Sequence, residues 1–176
     1  MTSLHFGLQR PRVQGHFVLL LAGESNQVLK LVQRAAGAAG AAGAAGAAGD
    51  AAYIIQKGYR SADNNNDECM VVTSYITSPR LPSSPVLVTV ESLHHRGAFV
   101  TSPTRGQLAV QTSGTPPSLA DDPRMFQMVQ GEGGGMQLVH HGSGLAVSHA
   151  GASLTLVTLT SRPSLELEFN LLPCGS

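Results

Sequence analysis

The feature that most limits how this chain can fold is an internal repeat in its second half. Leu93-His94-His95-Arg96-Gly97-Ala98-Phe99-Val100 is answered by Val139-His140-His141-Gly142-Ser143-Gly144-Leu145-Ala146-Val147. The offset that carries His94 onto His140 also carries Leu108 and Val110 onto Leu154 and Leu156. Each unit closes on a run with a central aromatic, Met125-Phe126-Gln127-Met128 in one and Glu168-Phe169-Asn170-Leu171 in the other. A repeated unit of this size cannot bury its apolar face alone, so neighbouring copies must pack together. Each unit has room for four short strands, which fits one β-trefoil lobe or one propeller blade. Three blades are too few to close a propeller. The expected fold is all-β, a β-trefoil of twelve strands in three lobes, with a divergent first lobe ending at Met70-Val71-Val72.

Short apolar or alternating runs, punctuated by Ser-Pro, Pro-Pro, Gly-Gly-Gly and Gly-Ser-Gly turns, agree with this. Leu4–Gln9 and Phe17–Leu21 are alternatives for the first strand. The others are expected at Gln27–Val32, Ala52–Gln56, Met70–Thr77, Val86–Ser92, Ala98–Thr101, Gln107–Thr112, Met125–Gln130, Met136–His140, Leu145–Ser148, Leu154–Leu159 and Leu165–Leu171. Their apolar positions nominate a core of Val71, Val88, Leu108, Val110, Phe126, Leu138, Leu154, Leu156 and Phe169. Residues 35–49 are five tandem Ala-Ala-Gly copies. A glycine every third residue costs a helix about 1 kcal/mol each time, and the tract has no apolar face to bury. A collagen-like reading fails for want of proline. The tract is expected to be a loop insertion in a single domain spanning residues 1–176, tolerated at small entropic cost.

Charge argues against two classes of partner. Eleven basic and eleven acidic residues cancel, whereas nucleic acid and anionic membranes require a basic stripe. No apolar run approaches the ~20 residues of a spanning helix. The start of the chain makes a poor signal peptide, because Gln14-Gly15-His16 interrupts any apolar region after Arg10 and Arg12. Cys69 and Cys174 are only two and lie far apart, so they read as free thiols of a protein made in a reducing compartment.

No reaction centre emerges. Adjacent histidines on a strand point to opposite faces, so neither His94-His95 nor His140-His141 grips one metal ion. Asp121-Asp122 precedes Pro123 in a turn-rich stretch. Glu166 and Glu168 alternate with Leu165, Leu167 and Phe169 as on a strand's solvent face. Gly131-Glu132-Gly133-Gly134-Gly135 lacks the Lys-Ser/Thr ending of a phosphate-binding loop and reads as a hairpin turn. Ser143 lacks the spacing of a nucleophile elbow. The expectation is a binding protein with no catalytic residue, metal or cofactor.

Several segments resemble the interleukin-1 family of β-trefoil cytokines. His5-Phe6-Gly7 resembles the start of a mature family member, and Asn26-Gln27-Val28-Leu29 the strand that follows. Cys69 to Ile76 is similar to the family's fourth strand, and Val86 to Glu91 to its fifth. Gly114-Thr115-Pro116-Pro117, then Phe126, resembles a Pro-Pro loop before a Phe-rich eighth strand. Gly135-Met136-Gln137-Leu138, Leu145-Ala146-Val147-Ser148 and Glu168-Phe169 follow the order of the family's last lobe. The Ala-Ala-Gly tract and Leu138-Val139-His140 depart from the family pattern.

The resemblance implies a ligand made in the cytoplasm; no pro-segment ending in a caspase-type Asp precedes His5, so the chain is read as the mature form only. It would be secreted without a conventional signal peptide and act as a monomer that bridges two immunoglobulin-domain receptor chains. His5, Phe6, Arg10 and Arg12 at the N-terminal strand, and Arg105 at the Pro103–Gly106 turn, are the candidate contacts. A fascin-like, actin-binding trefoil is the alternative, on the Gly-Ala-Phe-Val and Gly-Gln-Leu-Ala runs. A ricin-type sugar-binding trefoil needs a tryptophan in each lobe, and this chain has none. Zero net charge disfavours a heparin-binding growth-factor trefoil.

Overall fold

The computed structural model describes residues 7–8, 11–24, 26–33, 53–60, 68–78, 86–159 and 165–174. Among them run thirteen strands: β1 (Gly7–Leu8), β2 (Arg12–Leu21), β3 (Gln27–Gln33), β4 (Tyr53–Tyr59), β5 (Cys69–Ser78), β6 (Val86–Ser92), β7 (Ala98–Thr101), β8 (Ala109–Thr112), β9 (Phe126–Gln130), β10 (Met136–His140), β11 (Leu145–Ser148), β12 (Thr155–Thr158) and β13 (Glu168–Pro173). A 3-10 turn, Leu165–Leu167, leads into β13. Among the described residues no helix is long and apolar enough to cross a membrane.

Six strands close a barrel. β2 pairs with β5, β5 with β6, β6 with β9, β9 with β10, β10 with β13, and β13 returns to β2, every pair antiparallel. Closure leaves no free edge around the ring. Three hairpins, β3–β4, β7–β8 and β11–β12, are joined to it through the equivalent pairs Leu20↔Val28, Glu91↔Phe99 and Val139↔Ala146. They cap one end of the barrel, once per lobe. The fold is a β-trefoil.

Alternation along the barrel strands sends Leu19, Leu21, Met70, Val88, Val90, Phe126, Leu138 and Phe169 into one buried cluster, completed by residues of the hairpins. Most of the expected core is there. Leu108 is only part-buried against it, and Val71 is buried outside it. β6 is covered on both faces: Val88 and Val90 face the barrel, while Leu87 packs with Tyr75, Ala120 and Met125.

Four expectations need correction. The two candidates for the first strand are not alternatives. Gly7↔Ser78 and Leu8↔Thr77 extend along β5 the ladder that resumes at Arg12↔Ser74. Pro11, which has no N–H to give to a ladder, lies between them. The trefoil's twelve strands are therefore β2–β13, with β1 as an addition. Second, Leu165–Leu167 is a 3-10 turn, and strand begins only at Glu168.

Third, Glu168 is not on a solvent face but 1% exposed. Its carboxylate accepts hydrogen bonds from Gly133 N (3.1 Å) and Gly135 N (3.0 Å) in the β9–β10 turn. Fourth, the cysteines are not free thiols: Cys69 and Cys174 form a disulfide across 105 residues. Cys69 pairs with Val18 on one side of β2, while Cys174 N donates to His16 O (3.0 Å) on the other, and the Cα atoms come to 6.0 Å. The Ala-Ala-Gly tract lies outside the described residues, between the paired strand ends Gln33 and Tyr53 of the first cap hairpin.

Candidate functional site

The start of β2 serves two sites, because alternate residues of a strand face opposite ways. Pro11 and Val13 face outward into an open cleft of about 820 Å3 where the first two lobes meet. Tyr53, Tyr75, Phe99 and Pro116 contribute the rest of its apolar lining. Arg12 and Gln14 line a second cavity, at the uncapped end of the barrel.

Polar groups hold the outer cleft in shape. Glu91 accepts from Gly97 N (2.6 Å) and from Arg96 Nε (3.0 Å), fixing the turn after β6. Ser113 N donates to Gly97 O (2.8 Å), and Arg124 Nη1 to Thr115 O (2.8 Å), which anchors the Gly114–Pro116 segment. Arg124 is buried, sits 4.7 Å above the Phe99 ring and pairs with Asp122 at 2.9 Å. Burial works to raise the Asp122 carboxyl, but hydrogen bonds from the Arg124 side chain and backbone N–H outweigh it and hold the group below its ordinary value. Burial pushes the Tyr75 phenol up.

The two candidate contacts among the described residues lie apart. Arg12 is exposed at the uncapped end of the barrel. Arg105 is exposed in the turn of the β7–β8 cap hairpin, where Gln107 N bonds Thr104 O (2.9 Å). His5, Phe6 and Arg10 lie outside the described residues.

The second histidine pair takes structural partners. His140 Nε2 donates to Pro123 O (2.9 Å), while Nδ1 accepts from Ser143 N (3.2 Å), and the ring stands edge-on to Phe126. His141 Nδ1 accepts from Gln127 Nε2 (2.9 Å). Burial lowers both rings' pKa values, so both favour the neutral form that these acceptor contacts require. Among the described residues no three or more His, Cys, Asp or Glu side chains gather as a metal site would require.

Sequence reasoning missed a polar cluster that ties the lobes together. Lys57 Nζ pairs with Glu24 (3.1 Å) and donates to His149 O (2.8 Å), while His149 Nδ1 meets Glu24 Oε2 at 2.8 Å. Burial works to raise the Glu24 carboxyl, yet the Lys57 and His149 hydrogen bonds leave it lowered. Nothing in the local sequence links residues so far apart in the chain.

No family model and no curated protein matches the chain. Solved structures do. A PSL1a–E64 complex superposes with a TM-score of 0.60 at 10% identity, over 89% of this chain and 47% of that one, so this chain spans about half its length. The designed threefold-symmetric protein ThreeFoil gives 0.58 at 15% identity, over 90% of this chain and 99% of that one. The Haemophilus ducreyi cytolethal distending toxin gives 0.55 at 13%, over 91% and 84%. At such identities the likeness is one of fold, and the threefold design matches over nearly its whole length.

Proposed function

We propose that this protein is a secreted, interleukin-18-like cytokine of the interleukin-1 family. It binds immunoglobulin-domain receptor chains, triggers inflammatory and immune signalling, and performs no chemistry of its own. The observation that carries this reading is one of order. Counted from β2, Cys69–Ser78 is the fourth trefoil strand and Val86–Ser92 the fifth. The Pro116-Pro117 loop precedes Phe126 of the eighth. Each segment thus has the rank that the resemblance gives it.

The outer cleft beside Pro11 and Val13 is one receptor face in this reading, with Arg12 on the opposite face of the same strand. The exposed Arg105 turn on the β7–β8 hairpin is the second, suited to a second receptor chain. The Cys69–Cys174 bond supports an extracellular destination, since disulfides persist in oxidising surroundings. The same reading implies cytoplasmic synthesis, release without a conventional signal peptide, and a monomer.

The test is binding of the full chain to paired interleukin-18 receptor ectodomains, with Arg10→Ala, Arg12→Ala, Arg105→Ala and Val13→Glu as variants. A buried arginine contact is worth about 2 kcal/mol, near thirtyfold in affinity. Loss confined to the Arg105 variant with one ectodomain, and to the β2 variants with the other, is the expected pattern. Unchanged binding by all four would remove these contacts from the proposal.

A further inference from the structure

Among the described residues, the cavity at the uncapped end of the barrel has a mostly apolar wall and one charged side chain. Past the bulge that places Val13 and Gly15 against Thr73 and Val72, β2 turns Phe17 inward, where it meets Val72, Ile76, Val88, Met128 and Leu171 around about 520 Å3. Gly15 has φ of +155°, and a Cβ there would stand 2.9 Å from Phe17 Cζ, so glycine lets that ring lie against the backbone. Leu19, Met70 and Phe126, in the same apolar cluster, are fully buried.

Among the described residues the polar groups of the rim lie on β2 and β5. Gln14 Nε2 donates to Ser74 Oγ (2.7 Å), and Ser74 Oγ donates to the Arg12 carbonyl (3.2 Å), so these groups satisfy one another. Among the described residues Arg12 is the one charged side chain lining the cavity. Among the described residues its guanidinium has no hydrogen-bond or ion-pair partner. An apolar space of this size, with few polar groups at its mouth, has the form of a small-molecule site. A guanidinium fork fits a carboxylate, and a single positive charge matches a single negative one.

We propose that the barrel mouth binds an unbranched medium-chain carboxylate, its tail against Phe17, Met128 and Leu171 and its head on Arg12. The volume of about 520 Å3 limits how long a tail can be held. Among the described residues the lining holds no second cation, which a phosphate dianion would call for.

The experiment is calorimetric titration of the full chain with octanoate, decanoate, dodecanoate and decanol, each below its micelle concentration. Affinity should rise about fourfold per added methylene until the chain outgrows the cavity. Arg12→Gln should weaken decanoate roughly tenfold and leave decanol unchanged. Met128→Trp should weaken both by filling the space. Should that variant fail to fold, Val86→Trp, at a rim position 53% exposed, narrows the mouth to the same end. Affinity independent of chain length would overturn the proposal. So would decanoate binding unmoved by Arg12→Gln, or capture by anionic phospholipid vesicles without affinity for monomeric decanoate.

Discussion

The two ends of the barrel are continuations of the same inward-facing stripes, yet they are finished differently. At the capped end Leu21, Phe126, Leu138 and Phe169 are almost wholly covered, with the hairpins above them. His140 and His149 stand edge-on to Phe126 and Phe169 there. At the other end the stripes run out through Phe17, Met128 and Leu171, which are only part-buried, to the exposed Arg12 and Val86. The contrast separates labour within one sheet: side chains under the cap supply stability, while those at the mouth are free to contact something else.

The largest effect should come from the capped end. Phe169→Ala should lower unfolding free energy by about 3–5 kcal/mol, whereas Met128→Ala, whose side chain is already part exposed, should cost less than about 2 kcal/mol. Urea denaturation of both variants measures the difference, and equal costs would erase the distinction between the ends.

Next in size is the disulfide. Replacing Cys69 and Cys174 together by serine should lower stability by about 2–4 kcal/mol, since the bond closes a long loop in the unfolded chain. An unchanged urea midpoint would mean that the pair adds nothing to the fold.

Acid should act on the capped end before it acts on the mouth. His140 and His141 are held below their ordinary pKa by burial. As pH falls below about 6.5, the unfolded chain takes up protons that the native rings still refuse. Stability is therefore full above that value and is lost as pH falls through the folded pKa values. Replacing both residues with glutamine should flatten the fall in urea midpoint between pH 7 and pH 5. A slope unaffected by the replacement would place the sensitivity elsewhere.

The trefoil could be read from the sequence because its evidence is local and repeated. Val88, Phe126, Leu138 and Phe169 recur at matching lobe positions and are buried together. What escaped reading depends on distant partners. Leu165 to Phe169 alternates like a strand, yet Glu168 is claimed by backbone N–H groups of a turn more than thirty residues earlier in the chain. The glycines of that turn are the one available signal: a Cβ at Gly131 would fall 2.5 Å from the Glu168 carboxylate. The Cys69–Cys174 pairing and the Glu24–Lys57–His149 cluster likewise exist only once the barrel has closed. For the candidate site, Arg12 and Arg105 were legible as exposed charges. That neighbouring residues of β2 would open onto two different cavities was not, because the division depends on which face of the barrel wall each occupies.

The smallest effect should come from the Ala-Ala-Gly tract. Deleting residues 35–49 should change stability by less than about 1 kcal/mol, because shortening a loop alters closure entropy only slowly. Thermal melts of the deletion compared with the full chain measure it, and an unfolded product would make the tract part of the structure.

The central claim is that this trefoil is a receptor ligand, and direct binding tests it best. Full-length protein should bind an immobilised interleukin-18 receptor ectodomain saturably, and Arg105→Ala or a β2 variant should weaken that binding. No binding to such ectodomains, with sedimentation alongside filamentous actin instead, would contradict the account and favour the fascin-like alternative.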